Sequence, residues 1–355
     1  ANGVVAHHAD DCIGCQYCTW NCPYSVPVFQ PDRRIVTKCD MCLPRLDAGL
    51  KPACVGACPT RALDVEPVDV AAWRADPAGA DAPHLPPAGL TRSTTRIDLP
   101  AGDLSGTVAA SDVDLHPEDP HWPLVTLTLL TQVALGISLT AAGRADRLAA
   151  AGVAGLALAG SLAHLGRPIH AVKALRNLRR SWLSREVALL GAYAALALAA
   201  VGAPALAPAA AVVGVAGVCA SGRLYVVPGR PSWDTPLTVV TFLVTALATG
   251  PLLTGHTLPA VGAVAAQLVA WLANLARLAR DPRREATGTV TLYRHPFAGL
   301  TALRWALAAG GVALALAGVW PAAAFALVAA GELAGRYLFY VTVVPLNIPG
   351  PWRRQ

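Results

Sequence analysis

Eight of the nine cysteines in this chain fall between residues 12 and 58, in two groups: Cys12, Cys15, Cys18 and Cys22, then Cys39, Cys42, Cys54 and Cys58. The first group reads C-x2-C-x2-C-x3-C and is followed by Pro23. The second is a C-x2-C pair, a longer loop, and a C-x3-C closed by Pro59. Three thiolates at such short spacing in one tight loop point at three corners of a cubane, while the fourth reaches away, which is the spacing that holds iron–sulfur clusters. A segment this short buries little hydrophobic core, so the bound clusters themselves must hold it together and the apo segment is not expected to fold.

The first run is that of bacterial-type ferredoxins, in which the fourth cysteine of each group ligates the other cluster. On this logic one [4Fe–4S] cluster takes Cys12, Cys15, Cys18 and Cys58, and the other takes Cys39, Cys42, Cys54 and Cys22. A zinc ribbon would use two C-x2-C pairs but has no use for the longer run, since tetrahedral zinc is full at four ligands. A disulfide framework belongs to small secreted domains, whereas this segment heads a long membrane-like chain.

Of the 355 residues, 54% are hydrophobic and only 14% are charged, and the average conceals a division. Residues 1 to about 120 have ordinary polarity; beyond them come long runs of Ala, Leu, Val and Gly. The fold expected is an α+β, ferredoxin-like two-cluster domain followed by an all-α polytopic membrane domain of about eight transmembrane helices. The net charge of +6 is not a nucleic-acid footprint, because the arginines sit between apolar runs, where membrane topology explains them. The chain opens Ala1-Asn2-Gly3 with no methionine, signal peptide or twin-arginine segment, so the expectation is a sequence that begins within a longer protein.

Taken in order, residues 1–64 form the cluster domain, with short extended pieces over Gly3–His7, Tyr24–Phe29 and Arg34–Thr37. Tyr17, Trp20 and Tyr24 lie beside the ligands, where they shield clusters from water. Residues 65–121, rich in Pro, Ala, Asp and Gly, read as an extended linker wrapping the cluster domain, and Trp122 as an interfacial anchor. The membrane anchor covers 122–346 and a tail covers 347–355. Its eight apolar runs are 123–142, 148–165, 186–203, 205–224, 235–254, 258–278, 299–318 and 321–343, each near the ~20 residues a bilayer requires. Eight crossings return the chain to its starting side. Loops on that side carry Arg167, Lys173, Arg176, Arg179, Arg180, Arg185, Arg223, Arg230, Arg277, Arg280, Arg283, Arg284, Arg294, Arg353 and Arg354, against only Arg144 and Arg147 opposite. The bias toward positive charge inside puts the cluster domain on the cytoplasmic side of a cell (inner) membrane.

Ionisable side chains at bilayer depth are functional candidates by default. His164 ends the second run in His-Leu-Gly-Arg167-Pro168, where an imidazole can accept a proton from a bound hydroquinone or merely cap its helix. Glu332, Arg336 and Tyr340 stand at i, i+4 and i+8 on one helix face; they read as a self-neutralising Glu–Arg pair or as the wall of a proton path or quinone cavity. Gln132, Gln267 and Asn274 read as hydrogen-bonding partners for neighbouring helices, and Cys219 as a small packing residue.

The motifs Cys12-Ile-Gly-Cys15-Gln-Tyr-Cys18, Cys22-Pro-Tyr, Lys38-Cys39-Asp-Met-Cys42 and Cys58-Pro-Thr-Arg61-Ala-Leu63 resemble the second half of the iron–sulfur subunit of the dimethyl sulfoxide reductase family. The remainder resembles that family's membrane anchor, through Trp122-Pro-Leu, His164-Leu-Gly, Ser181-Trp-Leu-Ser-Arg-Glu186, Trp233-Asp-Thr-Pro236, Gly250-Pro-Leu, Gly331-Glu-Leu-Ala-Gly-Arg336 and Phe339-Tyr340. The resemblance implies an electron-transfer, quinol-oxidising component of an oxidoreductase complex rather than the substrate-reducing subunit. Menaquinol would be oxidised at the anchor with His164 in the quinol site, and the cluster on Cys12, Cys15, Cys18 and Cys58 would be nearest the membrane. Electrons would go to a separate molybdopterin catalytic subunit for anaerobic respiration on dimethyl sulfoxide. Polysulfide, thiosulfate, nitrate or a selenium oxyanion would suit the same architecture, and the direction of electron flow is unset. A distant alternative is a non-redox transporter carrying a zinc-stabilised module. Two departures stand out: the family's iron–sulfur subunit has four cysteine groups, so two more clusters are expected upstream, and the two subunits, usually separate, are here one chain.

Overall fold

A computed structural model of the chain describes residues 4–76, 81, 85–96, 98 and 115–346. The anticipated tail at 347–355, with Arg353 and Arg354, lies outside the described residues, as do Gly3 and parts of the linker. The chain divides into two compact units, with the breaks at Leu115/His116 and Pro345/Leu346.

In the first unit regular structure is short. The helices are α1 (Tyr17–Asn21), α2 (Leu43–Asp47) and α3 (Ala53–Gly56), and the strands β1 (Val28–Gln30) and β2 (Ile35–Thr37). The strands form an antiparallel hairpin pairing Val28 with Thr37 and Gln30 with Ile35. The extended piece expected over Gly3–His7 is not a strand in its described residues, 4–7; the Lys38 ammonium donates to the Val5 carbonyl and Val5 stays exposed. Such a segment gains neither ladder nor core. The linker is not wholly extended either: α4 (Val70–Ala75) is capped by the Asp69 carboxylate, which accepts from Ala71 N and Ala72 N, and α5 (Ala88–Thr91) follows. Tyr24 Oη donates to Thr91 Oγ1 at 2.9 Å, and Trp73 Nε1 to the Ser93 carbonyl at 2.8 Å.

Eight helices of the second unit are long and apolar enough to cross a membrane. They are α6 (Trp122–Thr140), α7 (Arg144–Ser161, continued as a 3-10 turn to His164), α8 (Trp182–Gly202), α9 (Ala207–Leu224), α10 (Pro236–Leu253), α11 (Thr257–Arg280), α13 (Ala298–Leu316) and α14 (Pro321–Val341). All eight apolar runs read from sequence are therefore helices. The second begins four residues earlier than expected, because Asp146 accepts from Ala142 N and Gly143 N and so starts α7 at Arg144. Two loop elements escaped the hydropathy pattern, a 3-10 helix at Pro168–Asn177 and α12 (Arg284–Arg294). Both are too polar on average to register as apolar runs.

Consecutive helices pack as antiparallel hairpins, with α6 and α10 at the centre, where they contact one another and also α9 and α14. That crossing is set by glycine: a Cβ at Gly136 would overlap the Ala246 carbonyl, and one at Gly250 would overlap the Gly136 backbone. Small residues let membrane helices approach closely where the lipid supplies no hydrophobic drive. The near side of this unit is the face at which it begins (His116) and ends (Pro345); the even number of crossings puts His164, Trp182, Pro236 and Ala298 there too.

Candidate functional site

The cysteine loops owe their curvature to backbone in the left-handed region. Gly14 (φ 71°) and Gln16 (φ 60°) bend the first loop between Cys12 and Cys18, and Met41 (φ 57°) and Cys42 (φ 51°) bend the second. Turns that include a left-handed residue can aim successive amide N–H groups into a concavity. Here Met41 N donates to Cys39 Sγ at 3.3 Å and Ala53 N to Cys42 Sγ at 3.5 Å. All eight cysteines are free thiols. Trp20 is buried beside them, while Tyr17 and Tyr24 are half-buried.

Crowding by surrounding protein, and then by the neighbouring Cys15 and Cys12, pushes the Cys18 thiol up to about 11 although it reaches the surface. Cys58 is held below its ordinary value, chiefly by the Thr60 hydroxyl 3.5 Å away. Ligation requires the thiolate form, so a bound cationic centre would have to drive the proton off Cys18. Free thiols, inward-curled loops and amide-to-sulfur hydrogen bonds fit an iron–sulfur cluster.

In the membrane unit, Glu332, Arg336 and Tyr340 share the buried face of α14, as their spacing implied. The anticipated Glu332–Arg336 pair does not form. Arg336 Nη2 donates instead to Gln132 Oε1 on α6 at 2.7 Å, with its guanidinium over the Phe242 ring at 3.9 Å. Glu332 Oε2 accepts from Thr245 Oγ1 at 2.8 Å and Gln267 Nε2 at 2.9 Å, and its ion partner is Arg304 of α13, Nη2 to Oε1 at 3.9 Å. Neighbouring helices offered each charge a better-aligned partner than the next turn of its own. Gln267 and Asn274 do bond neighbouring segments as expected, Asn274 Nδ2 meeting the Ser232 carbonyl at 3.2 Å.

A second group lies where α6 begins. Tyr340 Oη donates to Tyr225 Oη at 2.6 Å, and the Tyr340 ring stands edge-on to His121, centroids 6.3 Å apart. His121 in turn is close enough to interact electrostatically with half-buried His164, whose Nδ1 is enclosed and has no protein partner. Burial holds the His121 imidazole below its usual value, opposed by Glu118 and Asp119 and reinforced by Arg230. Arg167 stands at the N-cap position of the 3-10 helix that follows. Trp122 is half exposed and packs at a tilt against Tyr337, ring centroids 5.4 Å apart.

Sequence reading missed Arg304, which is 6% exposed in the middle of an apolar run. It also missed His121, Tyr225 and buried Glu186, which bonds Ser221. A signal was present: Thr238, Thr241, Thr245 and Thr249 recur at helical spacing along α10 and mark the polar face that receives Glu332 and Gln267.

A family model described as the DMSO reductase anchor subunit (DmsC) matches residues 116–319, more than half of the chain. The chain belongs to the DMSO reductase anchor subunit family. Fused ahead of this anchor, residues 1–67 match a 4Fe-4S dicluster domain. One subunit of the anaerobic dimethyl sulfoxide reductase of Haemophilus influenzae is 42% identical over 92 residues, 26% of this chain and 44% of that protein. Its Escherichia coli counterpart is 40% identical over 113 residues, 30% and 55% respectively. The formate dehydrogenase iron-sulfur subunit of H. influenzae is 46% identical over 63 residues, 18% and 20%. The chain spans about half the length of the dimethyl sulfoxide reductase relatives it matches. It is a multi-pass membrane protein of electron-transfer type, joining an iron–sulfur domain to an anchor.

Proposed function

We propose that this chain oxidises menaquinol at the near side of its helix bundle and delivers the electrons through two [4Fe–4S] clusters to a separate molybdopterin subunit, which reduces dimethyl sulfoxide or a similar terminal acceptor. The observation that carries this reading is the union, in one polypeptide, of a dicluster cysteine domain with an anchor whose near half holds buried ionisable groups. In the proposal Cys12, Cys15, Cys18 and Cys58 hold one cluster, Cys39, Cys42, Cys54 and Cys22 the other, and residues 65–121 join them to the anchor. Bound clusters supply one-electron acceptors; the remaining work belongs to side chains. His164, with Nδ1 enclosed and His121 beside it, takes a proton from the quinol hydroxyl. Tyr340 and Arg167 flank that position. Arg336 and Glu332, one and two turns further into the bundle on the same face of α14, form a polar wall and take part in proton release. The arginine-rich near-side loops favour a cytoplasmic cluster domain.

Similarity to a formate dehydrogenase iron–sulfur subunit favours a second reading, in which the same parts carry electrons toward the quinone. The anchor family favours the first. The test is menaquinol-driven bleaching of cluster absorbance in anaerobic membranes. His164→Ala is expected to slow it roughly 100-fold, the low end of what a lost acid–base group costs; undiminished bleaching would remove His164 from the reaction. Preparations without iron and inorganic sulfide would sink the reading as a whole.

A further inference from the structure

Between α10, α11, α13 and α14, under the near-side loop that carries Ser232, lies a cavity of about 70 Å³. Four of its lining residues hold buried polar atoms with no protein partner: Ser232 Oγ, Gln267 Oε1, Trp271 Nε1 and Arg304 Nε. Gln267 is 3% exposed and Arg304 6%. The guanidinium of Arg304 occupies the slot left by Gly335, where a Cβ would overlap its Cζ. With Arg336 also on the wall and Glu332 as the one carboxylate partner, the surroundings carry an excess positive charge at membrane depth.

We propose that this cavity binds a pair of ordered waters and forms the inner end of a proton route between the near-side loop at Ser232 and the Arg304–Glu332 pair. Size decides against larger occupants. A cavity of about 150 Å³ takes up benzene, while about 10–15 Å³ of such space is enough to hold a water, so this one has room for at least two waters and is too small to enclose a quinone ring. The chemistry agrees. Trp271 Nε1 and Arg304 Nε are donors only, Gln267 Oε1 is an acceptor only and Ser232 Oγ can be either. An anion would satisfy the first two and leave Gln267 unmet, and an acyl chain would satisfy none. Two waters bonded to each other and sharing these four atoms make about the three hydrogen bonds apiece that buried waters typically make. The Arg304–Glu332 contact, 3.9 Å, is too long for a direct hydrogen bond, and Arg304 is the member of the pair that lines the cavity. At the outer end Ser232 is fixed from below by Asn274, and its neighbour Pro231 by Arg277, whose Nη2 meets the Pro231 carbonyl at 2.6 Å. The route's use in proton release rests on the quinol-oxidising reading above; the water site does not.

A density map of the intact complex that shows ordered solvent is expected to place two peaks within about 3.2 Å of the four unpartnered atoms. A lipid chain, a ring or a dry cavity there overturns the proposal. Ala270→Leu adds three carbons to the cavity wall and is expected to slow proton release on menaquinol oxidation roughly tenfold, less than loss of an acid–base group because bulk water persists on the near side. Trp271→Phe keeps an aromatic ring but loses the indole N–H, and should slow release by a smaller factor while losing the peak that this donor holds. Normal release in both variants overturns the route. Should the wild type show no menaquinol-driven cluster reduction, the proposed function fails and the route with it, while the waters are still judged by the density.

Discussion

The two units of this chain are stabilised by opposite means. In the cluster unit the buried apolar side chains among the described residues up to 98 are few, chiefly Ile13, Trp20, Ile35, Val36 and Ala88, and the helices run four to six residues. In the membrane unit every crossing helix has at least eighteen residues, the interior is continuous, and its charged groups find partners on neighbouring helices. The first is a set of ligands awaiting a metal centre; the second is a packed solid whose polar atoms are its weak points. Removing iron should therefore split their behaviour. Anaerobic chelation is expected to abolish the visible absorbance and the protease resistance of the first unit while leaving the helical circular dichroism of the second. Cys15→Ala should cost about half the iron, since it strips one of two clusters. Loss of helical signal in step with iron would show that the membrane unit depends on the clusters too.

The next largest effect lies within the second unit. Glu332→Ala leaves Arg304 buried without its ion partner and unhooks Gln267 and Thr245, and breaking such a pair costs about 3–5 kcal/mol. Thermal unfolding in detergent should register it. Replacing both, Glu332→Leu with Arg304→Met, should recover most of the loss if the charges serve function rather than folding.

This pair also marks how far sequence could reach. Cysteine spacing is local, so both ligand groups were readable from a few dozen residues, and each apolar run long enough for a bilayer became a helix. The short elements were less legible. A short extended piece was expected over Gly3–His7, but its described residues, 4–7, are not a strand. Glu332 and Arg336 stand one turn apart, which suggested a mutual pair; their true partners, Arg304 and Gln132, sit 28 and 204 residues away, and helix packing chose them. Local periodicity carries the face a residue occupies and says little about what waits across it.

Glycine separates packing from propensity in the second unit. Gly250→Val would drive a side chain into the Gly136 backbone at the α6–α10 crossing and should cost about 1–3 kcal/mol or prevent assembly, read from yield and thermal midpoint. A methyl group placed at Gly152 of α7 would meet nothing within 4 Å, so Gly152→Ala should be neutral or stabilise by up to about 1 kcal/mol through helix propensity. Equal effects at the two sites would mean that the crossing is looser than its geometry.

The smallest effect sits outside the bilayer, on the near-side loop between α11 and α12. Asp281 accepts from Arg283 Nη2 at 2.6 Å, and that contact holds its carboxyl below the ordinary value of 3.8. A carboxyl depressed in the folded state contributes stability that is fully present above its unfolded value and is lost as pH falls through the depressed one. The contribution should therefore be intact at neutral pH and disappear only below about pH 4. Arg283 is roughly half exposed, so solvent screening limits the pair to less than about 1 kcal/mol. Asp281→Asn should accordingly lower the thermal midpoint slightly at pH 7, by an amount that shrinks with added salt and as pH falls below about 4. An effect as large as that of Glu332→Ala would mean that the loop is braced against something that desolvates it, and the contrast between a solvated rim and a packed interior would have to be redrawn.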